Sequence, residues 1–151
     1  MRNALVLATL LIASGVQAAT CTLAVNPLPF GTYNSLLVTP TSSQANMTVS
    51  CQSGLLELVS YSLALSAGNS GNANARYLLN GSYHLNYNLY QDLLHTRLWG
   101  SGTDAYSSTL NITTILTPFS TTLTVYGSIP AGQTSAGAGS YSDTITATLN
   151  F

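Results

Sequence analysis

His84 and His95 are the only imidazoles in the chain, and Asp92 lies three residues before His95. Serines are plentiful, so the parts of a Ser–His–Asp set are present. Such a set works only when a base is held against the nucleophile and oriented by a third group. No nucleophile-elbow motif presents a serine in that way. There is no His-x-x-x-His spacing, no paired CxxC and no acid-rich calcium loop. The expectation is a protein that is not an enzyme and needs neither metal nor cofactor. His84 borders an Asn/Tyr strand and His95 lies near a turn, so both are expected in solvent. Asp143, ahead of a strand, is expected to cap a turn through its side-chain oxygen. Arg76 is expected to pair with an acid or a carbonyl.

Aromatic side chains offer a different chemistry. Nine tyrosines and Trp99 are present, and exposed rings can stack on sugars or press onto an apolar surface. Leu93-Leu94 and Leu98-Trp99 lie near turn-formers, which makes Leu98 and Trp99 candidates for a surface adhesion patch. The competing and favoured expectation is that they fill the core. The Asn-x-Ser/Thr triplets at Asn46, Asn80 and Asn111 matter only in a eukaryotic secretory cell, to which nothing in the chain points.

The remaining chemistry is that of sulfur. Cys21 and Cys51 are the only cysteines, and an even count in an exported chain reads as a disulfide. Closing a loop of this size stabilises the fold by about 3–4 kcal/mol in the loop-entropy account. Export itself is read from the start of the chain. Arg2 is followed by an apolar run over residues 4–13, broken only by Thr9, and then by Val16-Gln17-Ala18. That order is expected of a signal peptide over 1–18, cleaved after Ala18 (the second choice being after Ala19), with a single domain over 19–151. No second apolar run of membrane length follows, so no membrane insertion is expected after cleavage.

The mature chain keeps Arg76 and Arg97 against Glu57, Asp92, Asp104 and Asp143, and has no lysine. Two cations cannot build the patch that neutralises a phosphate backbone, so nucleic-acid binding is excluded. Electrostatic docking on an anionic membrane is excluded for the same reason. Charged residues are 5% of the chain, against about 25% in ordinary globular domains. Ser, Thr, Asn and Gln do the solvating, and such a surface repels its own copies only weakly.

Elements follow from periodicity, which is two rather than 3.6. Met47, Val49 and Cys51 alternate with polar residues, as do Tyr61, Leu63 and Leu65, then Leu85, Tyr87 and Leu89, then Leu123 and Val125. Ile145, Ala147, Leu149 and Phe151 alternate with Thr144, Thr146, Thr148 and Asn150. Each run gives one apolar face and one hydroxyl or amide face, the signature of a half-buried strand. Gly/Ser/Asn loops at 68–72, 100–102 and 132–139 separate them. Residues 54–59 are expected as loop running into strand. The whole reads as an all-β sandwich. The last strand is expected to keep an uncovered edge, because no proline or lysine blunts residues 142–151.

Several ordered motifs resemble the spore coat protein U domain family. They are Cys21 with Pro29-Phe30-Gly31-Thr32-Tyr33 and Cys51; Arg76-Tyr77-Leu78; Leu85-Asn86-Tyr87-Asn88-Leu89-Tyr90-Gln91-Asp92; Trp99-Gly100-Ser101-Gly102; residues 125–133; and residues 139–145. The resemblance spans essentially the whole mature chain. It implies a subunit of an archaic chaperone–usher pilus, with an immunoglobulin-like β-sandwich that lacks its last strand. A periplasmic chaperone would fill the gap first, and the next subunit's donor strand would replace it. Ile145, Ala147, Leu149 and Phe151 would then form the acceptor edge. The implied partners are a chaperone, an outer-membrane usher and neighbouring pilus or coat subunits. The implied location is the periplasm in transit and then the cell surface, in adhesion or biofilm formation.

One feature departs from polymerising subunits. After cleavage only Ala19 and Thr20 precede Cys21, roughly 7 Å of reach at about 3.3 Å per residue. The expectation is a subunit that accepts a strand and gives none, as at a tip or terminus. Two alternatives stay open: an adhesive or carbohydrate-binding module, and a self-contained coat protein with a complete sandwich.

Overall fold

A computed structural model describes residues 19–52, 57–112 and 118–151. The expected signal peptide and residues 53–56 lie outside that set. The order of strands is β1 (Thr20–Val25), β2 (Thr41–Gln52), β3 (Glu57–Leu65), β4 (Tyr77–Asn80), β5 (Tyr83–Asn86), β6 (Asn88–Tyr90), β7 (Tyr106–Ile112), β8 (Phe119–Ile129) and β9 (Ala147–Asn150). Helical structure among the described residues is limited to two single 3₁₀ turns, Gly68–Ser70 and Gly102–Asp104. One sheet has the order β1-β2-β8-β6 and the other β7-β3-β9, with β4 and β5 as a separate hairpin. All pairings are antiparallel.

The alternation seen in the sequence sets which face is buried. Met47, Val49 and Cys51 from β2 meet Tyr61, Leu63 and Leu65 from β3, with Leu110 and Ile112 from β7 and Val125 and Ile129 from β8. Burying each such side chain contributes about 1.5–3 kcal/mol. The opposite faces carry hydroxyls in register across the strands. Ser50 and Ser120 share a hydrogen bond of 2.6 Å, and Ser60 and Thr109 one of 3.2 Å. Threonine and serine satisfy one another there without charge.

The final strand is shorter than its periodicity suggests. Only Ala147–Asn150 pairs as β9, against Leu65–Ser62 of β3. Ahead of it the chain is held by a bridge between Ser142 and Leu79 and by the Ser66 N–H donating to Thr146 O at 2.9 Å. Asp143 interrupts regular pairing because its carboxylate takes the N–H of Thr144 at 2.7 Å and of Asn69 at 2.8 Å.

Trp99 follows the favoured of its two expectations, the core, and not the surface patch. It is 1% exposed, its Nε1–H donates to Leu63 O at 2.8 Å, and its ring packs on Tyr106. An indole that has an internal partner for its one donor is stable in a core. Trp99 therefore presents no adhesive surface, and Leu98 beside it is half-buried.

Trp99 also belongs to a polar hub. Arg76 is fully buried. Its Nε donates to Ser66 O at 3.0 Å. Nη1 donates to Ala73 O and to Asn88 Oδ1, and Nη2 to Leu65 O, Ser66 O and Trp99 O. All acceptors are neutral, so the pairing is with carbonyls and one amide. Desolvation lowers its pKa below the ordinary arginine value, and the fields of Tyr87 and Asp143 act the other way. One guanidinium thus joins the end of β3, the loop before β4, the start of β6 and the Trp99 segment. Arg76→Lys keeps the charge but cannot reach as many acceptors. It is expected to lower stability by about 2–4 kcal/mol in urea unfolding of the oxidised chain.

Cys21 and Cys51 face one another across β1 and β2 and are bonded, with Cα atoms 4.1 Å apart. Replacing both by alanine is expected to cost about 2–4 kcal/mol by the same measurement. An unchanged unfolding midpoint would contradict that role for the bond.

Candidate functional site

β9 lies at the edge of its sheet, with β3 on one side only. Backbone groups in an antiparallel pair face the neighbour at alternate residues. Thr146 faces β3, through its carbonyl from Ser66 N and its N–H to Ser66 Oγ at 2.9 Å. The register therefore turns Thr148 and Asn150 toward β3. It leaves the N–H and C=O groups of Ile145, Ala147 and Leu149 facing away from it. The side chains of these three residues are half-buried and pack on the core. One row of residues thus combines unpaired backbone groups with inward apolar side chains, as an acceptor edge requires. Phe151 is not part of that row's wall, being past the end of β9 and 58% exposed.

β1 and the segment after it form the facing wall. Residues 20–25 pair with β2, and the Asn26 N–H continues to Asn46 O at 3.1 Å. Pro27 and Pro29 have no N–H to give, and pairing stops. Leu28 and Phe30 alternate with these prolines and turn their side chains inward over Gly127. A Cβ at Gly127 would stand 2.7 Å from the Phe30 ring and 3.0 Å from Leu28. Glycine is needed there because the strand must let the ring settle against its backbone. The segment is fastened by Ser43 Oγ donating to Pro29 O and by Tyr33, whose hydroxyl donates to Pro130 O and accepts from Gln133 N.

Between the walls lies a cavity of about 370 Å³. Its floor is Met47, Leu65, Leu89 and Val125, and its sides are Val25 and Phe30 against Ile145 and Ala147. At one end stand Tyr87 and Asp143. Tyr87 is 5% exposed, its ring meets Phe30 edge-on at 5.6 Å, and its hydroxyl donates to Asp143 Oδ2 at 2.7 Å. Burial, and then the Asp143 bond, raise the phenol well above its ordinary pKa, so it is neutral. Asp143 also lines a second cavity of about 900 Å³, between residues 28–35 and 136–143. Asp143 does cap a turn, as expected for its type, and in addition it faces the groove. Its Oδ2 rests against Gly68, where φ is +64° and any Cβ would collide with the carboxylate.

The other polar candidates stay apart from the groove. His84 stacks flat on Tyr77 with ring centroids 4.1 Å apart, at an exposed position. His95 has a left-handed backbone (φ 57°) and lies half-buried against Tyr90, not free in solvent. Asp92 accepts from the N–H and hydroxyl of Thr96 and from the N–H of Arg97. The Arg97 bond is the main reason its carboxyl titrates below the usual range. These bonds fix the turn that carries Leu93 and Leu94, which are 68% and 80% exposed. Sequence reasoning missed Leu28, Phe30, Tyr87 and Gly127 as groove residues. The available signal was the Leu-x-Phe alternation directly after the first strand.

The spore coat protein U domain matches residues 6–148. No match is found among curated proteins. Among solved structures, the chain is similar to a chain in the CsuC–CsuE chaperone–tip adhesion subunit pre-assembly complex, from the archaic chaperone–usher Csu pili of Acinetobacter baumannii. The identity is 26% and the TM-score 0.61, over 89% of this chain and 40% of that one. The chain thus spans less than half of its structural relative. With its motifs, disulfide and open-edged sandwich, and a match over nearly its full length, the chain belongs to the spore coat protein U domain family.

Proposed function

We propose that this chain is a structural subunit of a chaperone–usher assembly, completed by a β-strand that enters the groove between β1 and β9. The observation that carries this reading is β9 itself. Its outward backbone groups at Ala147, with those of Ile145 just ahead of it, lie beside an apolar cavity of about 370 Å³. A strand with alternating apolar residues would pair with the backbone and fill the cavity in one step. A periplasmic chaperone would supply it first and a neighbouring subunit later. The similar Csu complex, a pre-assembly complex of a chaperone with a tip adhesion subunit, supports that order of partners. Passage through an usher and display at the cell surface, in a pilus or a coat, follow from the same reading. If cleavage falls after Ala18, Thr20 and Cys21 are already committed to β1. A chain so processed receives a strand and passes none on, which suits a tip or terminating position.

The hairpin between Tyr90 and Leu98 favours a second role. Its tip holds Leu93 and Leu94 in water on a turn clamped by Asp92. Ordering the tip in advance lowers the entropy cost of pressing it against an apolar surface. This is an aliphatic contact, distinct from the aromatic patch for which Leu98 and Trp99 were the candidates.

Periplasmic co-expression with the cognate chaperone tests the first reading. Ala147→Arg would put a charged side chain into the groove and is expected to reduce chaperone co-purification at least about tenfold. A mature chain that is equally soluble and stable as a monomer without any chaperone would sink strand acceptance. For the second role, the double change Leu93→Ser and Leu94→Ser should reduce attachment to a hydrophobic surface while leaving chaperone binding unchanged. Equal attachment by both proteins would remove that role.

A further inference from the structure

We infer that the groove checks the register of the incoming strand through the Asp143 carboxylate. The strand presents apolar side chains over the floor and a side chain with an N–H or O–H where it passes Asp143. This rests on the strand-acceptance reading and adds a demand on the partner's sequence.

Three observations lead to it. First, Asp143 lines both the apolar cavity and the larger one next to it. A strand that runs beyond Ile145 must therefore cross it. Second, its hydrogen-bond donors are all neutral: the N–H groups of Asn69 and Thr144 on Oδ1 and the Tyr87 hydroxyl on Oδ2. A carboxylate offers about four acceptor sites, so these three donors leave room for one more. Third, the nearest buried cation offers no ion pair. The N–H groups of Arg76 are directed at Ser66, Ala73, Leu65, Trp99 and Asn88.

While the groove is open, solvent can reach that fourth site. An apolar side chain laid over Asp143 would shut solvent out and return nothing, and leaving a charged acceptor short of a partner is unfavourable. A hydroxyl or amide would take the site instead. Over Met47, Leu65 and Val125 the preference reverses, since a polar group there meets only hydrocarbon. Asp143 lies just past Ile145, so the polar position falls at one end of the apolar set, two residues beyond its last member along the strand. A strand shifted by two residues would then place a polar group on the floor and an apolar one on the carboxylate, and both errors would oppose it.

The experiment uses the oxidised mature chain with synthetic peptides that alternate valine or isoleucine on the inward face. A single asparagine is walked through each inward position, and binding is measured by competition. Asparagine is expected to weaken binding over the floor. At one terminal inward position it should tighten binding about tenfold relative to valine. In Asp143→Asn that gain should largely disappear. Asparagine weakening binding at every position overturns the inference in the unaltered chain alone, as does a gain that Asp143→Asn leaves intact. If no peptide of any pattern binds, strand acceptance itself falls.

Discussion

A full positive charge buried among carbonyls organises this sandwich. Arg76 replaces its hydration with six hydrogen bonds to Ser66 (two), Leu65, Ala73, Asn88 and Trp99. Desolvating a guanidinium is so unfavourable that a buried one has to keep its acceptors in place. Those acceptors belong to segments that no sheet ladder joins. Besides Arg76, the end of β3 and the Trp99 segment are tied, among the described residues, only by single bonds, Leu65 N–H to Gly100 O at 2.9 Å and Trp99 Nε1–H to Leu63 O at 2.8 Å. In a chain where charged residues are 5% of the total, this one residue sets the depth at which β3 and its neighbours meet.

The groove depends on that hub through Tyr87. Its N–H donates to Arg76 O at 3.0 Å, and its hydroxyl holds Asp143. Asp143 in turn fixes the approach to β9. The open edge is therefore braced from behind, which lets backbone groups stay unpaired without the strand rolling over to satisfy them. An edge with no charge or proline of its own is normally a hazard. Here it is set against a wall of matching apolar side chains, so that only an extended segment of suitable pattern fits well.

Much of this was legible in the sequence. Alternation over residues 47–51, 61–65 and 122–125 marked strands because each has one buried face, and the two cysteines found one another across β1 and β2. Ile145, Ala147 and Leu149 share a face by period alone, and the register adds that their backbone groups point outward. Other features were not legible. Period two cannot say where a strand stops pairing, and Asp143 shortens β9 by drawing backbone N–H groups to its side chain. Trp99 lay among turn-formers, a context that does not distinguish an exposed ring from one anchored to Leu63 O. For Arg76 a carbonyl partner was among the expectations, but not which one, because all its acceptors except Asn88 Oδ1 are backbone carbonyls, which carry no residue signature. Leu28 and Phe30 escaped notice because Pro27 and Pro29 punctuate them as loop.

The disulfide has a mechanical side as well. Cys21–Cys51 ties the first strand to β2, which runs beside β8 along eleven residue pairs. A strand seated between β1 and β9 and pulled along its length loads both flanks in shear, so that many hydrogen bonds resist together. The weak point under such tension would be the outermost flank peeling away, one bond at a time. A covalent link near the start of β1 blocks that route and passes the force to the longest ladder in the sandwich.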